Sequence, residues 1–114
     1  MKRKNRVLKH PEFDEIISST PVTKTAHYVI HWRPSQSQEA RIGISVSKRN
    51  GGSVRRNRIK RQIRAMIAGG FDLSKKIDVI IIVKATYDPV LYNAEATELL
   101  GCLSKLGEPK IEKI

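Results

Sequence analysis

The segment Ile77–Val83 reads IDVIIIV, six aliphatic residues and one acid in seven positions. A strand that is apolar at successive positions has no face to offer water, so it has to be covered on both faces. Asp78, alone among those residues, reads as a buried acid that must find hydrogen-bond donors.

Two further segments alternate. In TAHYVIHW, Thr25 to Trp32, Tyr28, Ile30 and Trp32 share one face while His27, Val29 and His31 share the other. In RIGISVS, Arg41 to Ser47, Ile42, Ile44 and Val46 oppose Gly43, Ser45 and Ser47, so one face is apolar and the other nearly bare. The polar stretch RPSQSQE between them predicts a turn and an antiparallel hairpin spanning Thr25 to Ser47.

Helical signals fill the gaps. Pro11, the first-turn acids Glu12, Asp14 and Glu15, and the stripe Phe13, Ile16 and Ile17 predict a short first helix. Ser53 is placed to cap a second helix from Val54 to about Ala68, with Gly69-Gly70 as a left-handed stop. Ala96, Leu99, Leu100, Leu103 and Leu106 recur at helical spacing in a third. The expected order is α, β, β, α, β, α. A strand pair joined through a helix is expected to be parallel, which beside the hairpin makes a small mixed sheet and a two-layer α/β (α+β) sandwich.

The 114 residues suit one domain, with residues 1–5 and 107–114 too polar to pack and expected to fray. A single cysteine, Cys102, excludes an internal disulfide and fits a reducing cytoplasm. The apolar run Val79–Val83 is far too short for a bilayer, and no export signal follows the basic N-terminus, so no membrane role is expected.

The net charge of +11 is unevenly placed: residues 1–40 carry seven basic and four acidic side chains, residues 41–71 nine and none, and residues 72–114 six and seven. Ser47 to Arg64, SKRNGGSVRRNRIKRQIR, holds eight cations. On the predicted helix Ile59, Ile63, Met66 and Ile67 form the core stripe, and Arg56, Lys60 and Arg64 follow at i, i+4 and i+8 along its border. Successive members of that row rise about 6 Å, comparable to the phosphate spacing of one nucleic acid strand. Arg55, Asn57, Arg58 and Arg61 extend the surface, and Lys48 and Arg49 enter from the preceding loop. A merely solvated helix would intersperse acids; here the like charges repel by a few tenths of a kcal/mol per pair unless a polyanion offsets them. Gly51-Gly52 serves either a plain turn or a close backbone approach to phosphate. One Asn and one Gln among so many cations suit phosphates and shape better than base edges.

The same residues resemble the signature of the protein subunit of bacterial ribonuclease P: Gly43, Ser45, Val46, Ser47 and Lys48 in a strand, Gly51 in the turn, then Arg56, Asn57, Arg58, Lys60, Arg61 and Arg64 on the helix. Asn5-Arg6 before Phe13, and Tyr92 and Leu103 after the apolar strand, extend the likeness over roughly Asn5 to Leu106. The resemblance implies a left-handed β-α-β crossover and a ribonucleoprotein that removes the 5′ leader from precursor tRNA. It further implies that the partner RNA performs the hydrolysis with Mg²⁺, mainly RNA-bound, and that the protein is a monomer, one per RNA. Lys48, Arg49, Arg55, Arg56, Asn57, Arg58, Lys60, Arg61 and Arg64 would contact the catalytic RNA. The single-stranded leader would lie in a cleft of Phe13, Ile17, His31, Ser45 and Ser47, walled by Arg56, Lys60 and Arg64. Ile17 and His31 depart from the Phe and Tyr common there, and Phe13 and Ile17 fit ordinary core packing equally well.

The residues suggest no catalytic group on the protein. His27 and His31, four apart on one strand, would be about 13 Å apart, too far to share a metal. No cysteine pair, Ser-His arrangement or phosphate-binding loop is present. Composition alone leaves a structural RNA-binding protein open as the second reading.

Overall fold

The computed structural model describes residues 10–19, 22–35 and 39–106. The elements are α1 (His10–Ser19), β1 (Val22–Lys24), β2 (Tyr28–Pro34), β3 (Arg41–Val46), α2 (Ser53–Gly70), β4 (Ile77–Val83) and α3 (Tyr92–Leu103), with single 3-10 turns at Lys48–Asn50 and Pro89–Leu91. The tails expected to fray, residues 1–5 and 107–114, lie outside the described residues.

The four strands form one mixed sheet in the order β1-β2-β4-β3. β4 runs antiparallel to β2 and parallel to β3. The mixed sheet and the parallel pairing through α2 therefore agree with expectation, but the hairpin does not form: β4 lies between β2 and β3. The physical reason is in β4 itself. Its two backbone edges both need partners, and pairing β2 with β3 would leave one edge of this apolar strand open. The connection between β2 and β3 instead passes the start of β4, where Ser35 N–H donates to Lys76 O at 2.9 Å and Ala40 N–H to Leu73 O at 2.9 Å. The short β1, exposed at all three positions, extends the sheet beyond β2.

Alternation along β4 divides the molecule into layers. Ile77, Val79, Ile81 and Val83 join Tyr28, Ile30, Ile42 and Val46 in the main core, against Ile59, Ile63, Met66 and Ile67 of α2 and Leu99 and Leu103 of α3. Fully burying each such aliphatic side chain contributes about 1.5–3 kcal/mol before ordering costs. Tyr28 and Tyr87 meet edge to face with ring centroids 6.0 Å apart. The Tyr28 hydroxyl donates to Glu95 O and that of Tyr87 to Gln62 Oε1, so neither is buried unsatisfied. Burial, then the Glu95 carboxylate, holds both phenols far above their ordinary pKa.

Asp78, Ile80 and Ile82 face the other way, where α1 packs. Gly43 lies here, and a Cβ on it would come within 2.7 Å of Ile80 Cδ1 and 2.8 Å of Phe13 Cε2. The missing side chain at this position is what lets α1 approach the sheet.

The ends of α2 differ from expectation. Gly52, not Ser53, stands at the N-cap, with no side-chain capping bond, and the helix runs through Gly69 and Gly70 to Phe71, whose backbone is extended. The only positive φ among the described residues is at Gly51. Gly70 is small because Leu100 of α3 presses on it, a Cβ there lying 2.5 Å from Leu100 Cδ1. Cys102 is half-buried against the core, and burial raises its thiol pKa.

Candidate nucleic-acid interface

The basic surface is built from a turn and a helix. Gly51, at φ +120, takes a conformation that disfavours a side chain and sends the chain from the 3-10 turn into α2. Asn50 fixes that turn: it is buried, its Nδ2 donates to Lys84 O at 2.8 Å, and its Oδ1 accepts from Ser47 Oγ at 3.3 Å. Lys48 and Arg49 are thereby exposed beside the helix start.

On α2 the buried stripe of Ile59, Ile63, Met66 and Ile67 orients everything else. Gln62 borders it on one side, where its Nε2 donates to Pro89 O and its Oε1 meets Tyr87. Arg56, Lys60 and Arg64, all half-buried, border it on the other side of the helix from Gln62. Arg55, Asn57, Arg58 and Arg61 are exposed.

The electrostatic contrast within the molecule is sharp. Arg33 and Arg41 are both engaged by Asp78, and Arg33 also by Glu15 at 2.6 Å. Among the described residues, none of the eight cations from Lys48 to Arg64 has an acidic partner. Among the described residues the Arg56 side chain donates only to Gly51 O, at 3.2 Å, folding back over the turn.

The face carrying α1 is ordered into three rungs by strand register. Arg33, Asp78 and Arg41 form the first; Val22, His31, Ile80 and Gly43 the second; Lys24, Val29, Ile82 and Ser45 the third. Glu15 reaches the first rung and Phe13 the second. The third remains partly open, with Val29, Ile82 and Ser45 half-buried.

The sequence-predicted cleft residues are distributed over this geometry. Phe13 and Ile17 are half-buried on α1, Ser45 lies on the open third rung, and Ser47 is exposed just beyond β3. His31 is only 9% exposed, on the second rung. Arg56, Lys60 and Arg64 are carried by α2, which packs on the opposite face of the sheet from α1 with its Phe13 and Ile17. Val29 and Ile82 were missed, although the alternation placed Val29 on the His31 face. Asn50 was missed as well; no local pattern announces a contact to Lys84.

Asp78 is the buried, hydrogen-bonded acid that its place in β4 requires. Burial alone would raise its pKa, but donors on Arg41, Ser35 and Arg33 overcome that and hold it below the ordinary carboxylate value. His27 is not on the β2 face with His31. It precedes the strand and turns to α3, where its Nδ1 lies 2.5 Å from Glu98 Oε1 and 3.1 Å from Glu95 Oε1. No helix among the described residues is long and apolar enough to cross a membrane.

Comparison with known proteins places this geometry. A protein from Bacillus cereus (strain Q1), named ribonuclease P protein component, is 32% identical over 115 residues, covering 99% of this chain and 100% of its own. A Mesoplasma florum protein of the same name is 38% identical over 86 residues, covering 74% and 78%. The ribonuclease P protein structure from Staphylococcus aureus superposes with a TM-score of 0.76 at 24% identity over 91% of this chain and 98% of that one. That from Thermotoga maritima gives 0.75 at 21% identity over 90% and 98%. These two likenesses establish the shared fold. The family model described as Ribonuclease P matches residues 1–107, and with relatives at this identity and coverage the chain belongs to the ribonuclease P protein family.

Proposed function

We propose that this chain is the protein subunit of ribonuclease P, part of a cytoplasmic holoenzyme that cuts the 5′ leader from precursor tRNA, with one protein per catalytic RNA. The observation that carries the proposal is the set of eight cations, Lys48 to Arg64, without an acidic partner among the described residues. A fold that pairs Arg33 and Arg41 internally and gives these eight no acidic partner among the described residues presents them to an external polyanion. Arg55, Arg58 and Arg61 on the exposed arc, with Lys48 and Arg49, contact phosphates of the catalytic RNA.

The leader lies over the third rung beside α1. Val29 and Ile82 offer apolar surface to a base, Ser45 offers a hydroxyl and little bulk, and Phe13 and Ile17 form the bank. His31 supports this floor from within. Arg56, Lys60 and Arg64 lie on α2, where a strand leaving the groove past Ser47 would meet them.

Mg²⁺, which activates water and stabilises the leaving oxygen when bound, is assigned to the RNA. Residues 40–71 contain no carboxylate, so the basic surface does not fit as a Mg²⁺ site and supplies positive charge only. The protein holds and orients substrate; no proton transfer is assigned to it.

Val29→Asp tests the groove. A carboxylate on the third rung removes apolar contact and repels the leader phosphates, so affinity of the holoenzyme for precursor tRNA falls about tenfold, within the range of one lost base contact. Mature tRNA, which has no leader, binds as before. Equal losses for both ligands in a filter-binding titration would place the leader elsewhere.

A further inference from the structure

Away from the basic surface, α3 presents Glu95 and Glu98, three residues apart and so on one helix face. His27, in the turn before β2, reaches them from 71 residues away in sequence for Glu98. One ligand atom from each of the three lies within 4.8 Å of the others, and no other such group of three exists among the described residues.

The two carboxylates are held in a particular way. Glu98 Oε2 accepts from Thr25 Oγ1 at 2.5 Å and from the His27 backbone N–H at 3.0 Å. Glu95 Oε2 accepts from the Asp88 backbone N–H at 2.9 Å. In each case one oxygen is fixed by donors and the other, Oε1, is turned to His27 Nδ1. A single Nδ1 proton can serve only one of them. Glu98 Oε1 is the nearer acceptor, and among the described residues Glu95 Oε1, on a side chain only 1% exposed, has no hydrogen-bond partner. A buried carboxylate oxygen without a donor is costly.

We propose that His27, Glu95 and Glu98 bind a divalent transition-metal ion of the Zn²⁺ class. A tetrahedral Zn²⁺ with ligands at about 2.0–2.2 Å needs ligand atoms roughly 3.3 Å apart. The observed 2.5 and 3.1 Å approach that spacing when His27 opens from Glu98, and all three ligand atoms lie within 4.8 Å of one another. The ion replaces the Nδ1 proton, which leaves to solvent, and gives Glu95 Oε1 the positive partner it lacks. One imidazole with two carboxylates suits Zn²⁺ or Co²⁺ rather than Mg²⁺, which prefers oxygen ligands and retains its water. His27 and Glu98, 31% and 23% exposed, leave an approach and a fourth position for water. The donors on Thr25, His27 N and Asp88 N supply the outer hydrogen bonds that ligating carboxylates require. Bound metal fastens α3 to the turn entering β2, and none of the α2 cations takes part.

The test is titration of the full chain, freed of metal, with Zn²⁺ by calorimetry and with Co²⁺ by visible absorption. The expected result is one ion per chain with a tetrahedral nitrogen and oxygen Co²⁺ spectrum. Glu98→Gln and His27→Gln should each weaken binding at least about tenfold, and Thr25→Val, which removes the hydrogen bond to Glu98 together with the Thr25 hydroxyl contacts to Tyr28 in the turn, about tenfold. Circular dichroism of each variant shows whether it is folded, and Thr25→Val, which leaves all three ligands in place, gives a second reading. Absence of stoichiometric uptake by the native chain overturns the proposal. So does uptake undiminished in folded Glu98→Gln and His27→Gln, which would place the ion on other side chains.

Discussion

Asp78→Ala will lower the stability of the fold by about 3 kcal/mol, the low end of the cost of breaking a buried ion pair. Asp78 is 1% exposed and receives Arg41 Nε at 2.9 Å, Arg41 Nη2 at 2.8 Å and Arg33 Nε at 3.1 Å. Removing it leaves two guanidinium groups, each 25% exposed, facing one another across β4 without the buried carboxylate that joins them, with Glu15 still engaging Arg33 from the α1 side. Their partial exposure lets water reach them, which is why the low end applies. Urea unfolding measures the loss, and a change below about 1 kcal/mol, the value of an exposed pair, would show that the clamp contributes nothing special.

The pH dependence has a defined sign. Because the folded-state pKa of Asp78 is depressed, its contribution is complete above the ordinary carboxylate value and is lost as pH falls through the lower folded one. Stability of the native chain should therefore decline below about pH 4. Asp78→Asn, which has no such proton to gain, should start lower and decline less.

Arg58→Ala with Arg61→Ala has the largest expected effect on binding. Both side chains are exposed on α2 and have no acidic partner among the described residues, so each is free to displace a counterion from RNA. Each lost phosphate contact reduces the slope of log affinity against log salt by about 0.7–0.9, roughly 1.6 for the pair, or about twentyfold in affinity at physiological salt. Stability should stay within about 0.5 kcal/mol of the native chain, since two surface cations repelling their neighbours are removed. A salt slope unchanged in the double variant would mean that neither arginine meets a phosphate.

The parts of this fold that were legible in the chain are those written in local periodicity. IDVIIIV announces a strand covered on both faces, and the stripe of Ile59, Ile63 and Ile67 orients α2 and so exposes its cations. Periodicity states which face a residue takes but not which strand becomes its neighbour, and the hairpin expectation failed on that point. β1 carried no signal, because three exposed residues make no pattern. Gly69-Gly70 read as a helix stop because the pressure of Leu100 on Gly70 comes from a distant segment. The bare face of β3 had two causes: Gly43 is small to admit Phe13, while Ser45 remains open. His27 was misplaced for the same reason, since its partners on α3 lie far away in sequence.

The central claim, that the protein serves an RNA that performs the cleavage, is tested most directly with 5′-labelled precursor tRNA and a bacterial ribonuclease P RNA, ideally the cognate one, at low Mg²⁺. The account predicts no cleavage by the protein alone, little by the RNA alone, and accurate release of the leader when the two are combined. If the protein binds the RNA tightly yet never stimulates cleavage, even with the cognate RNA, the account is contradicted. The exposed cations of α2 would then belong to a structural RNA-binding protein.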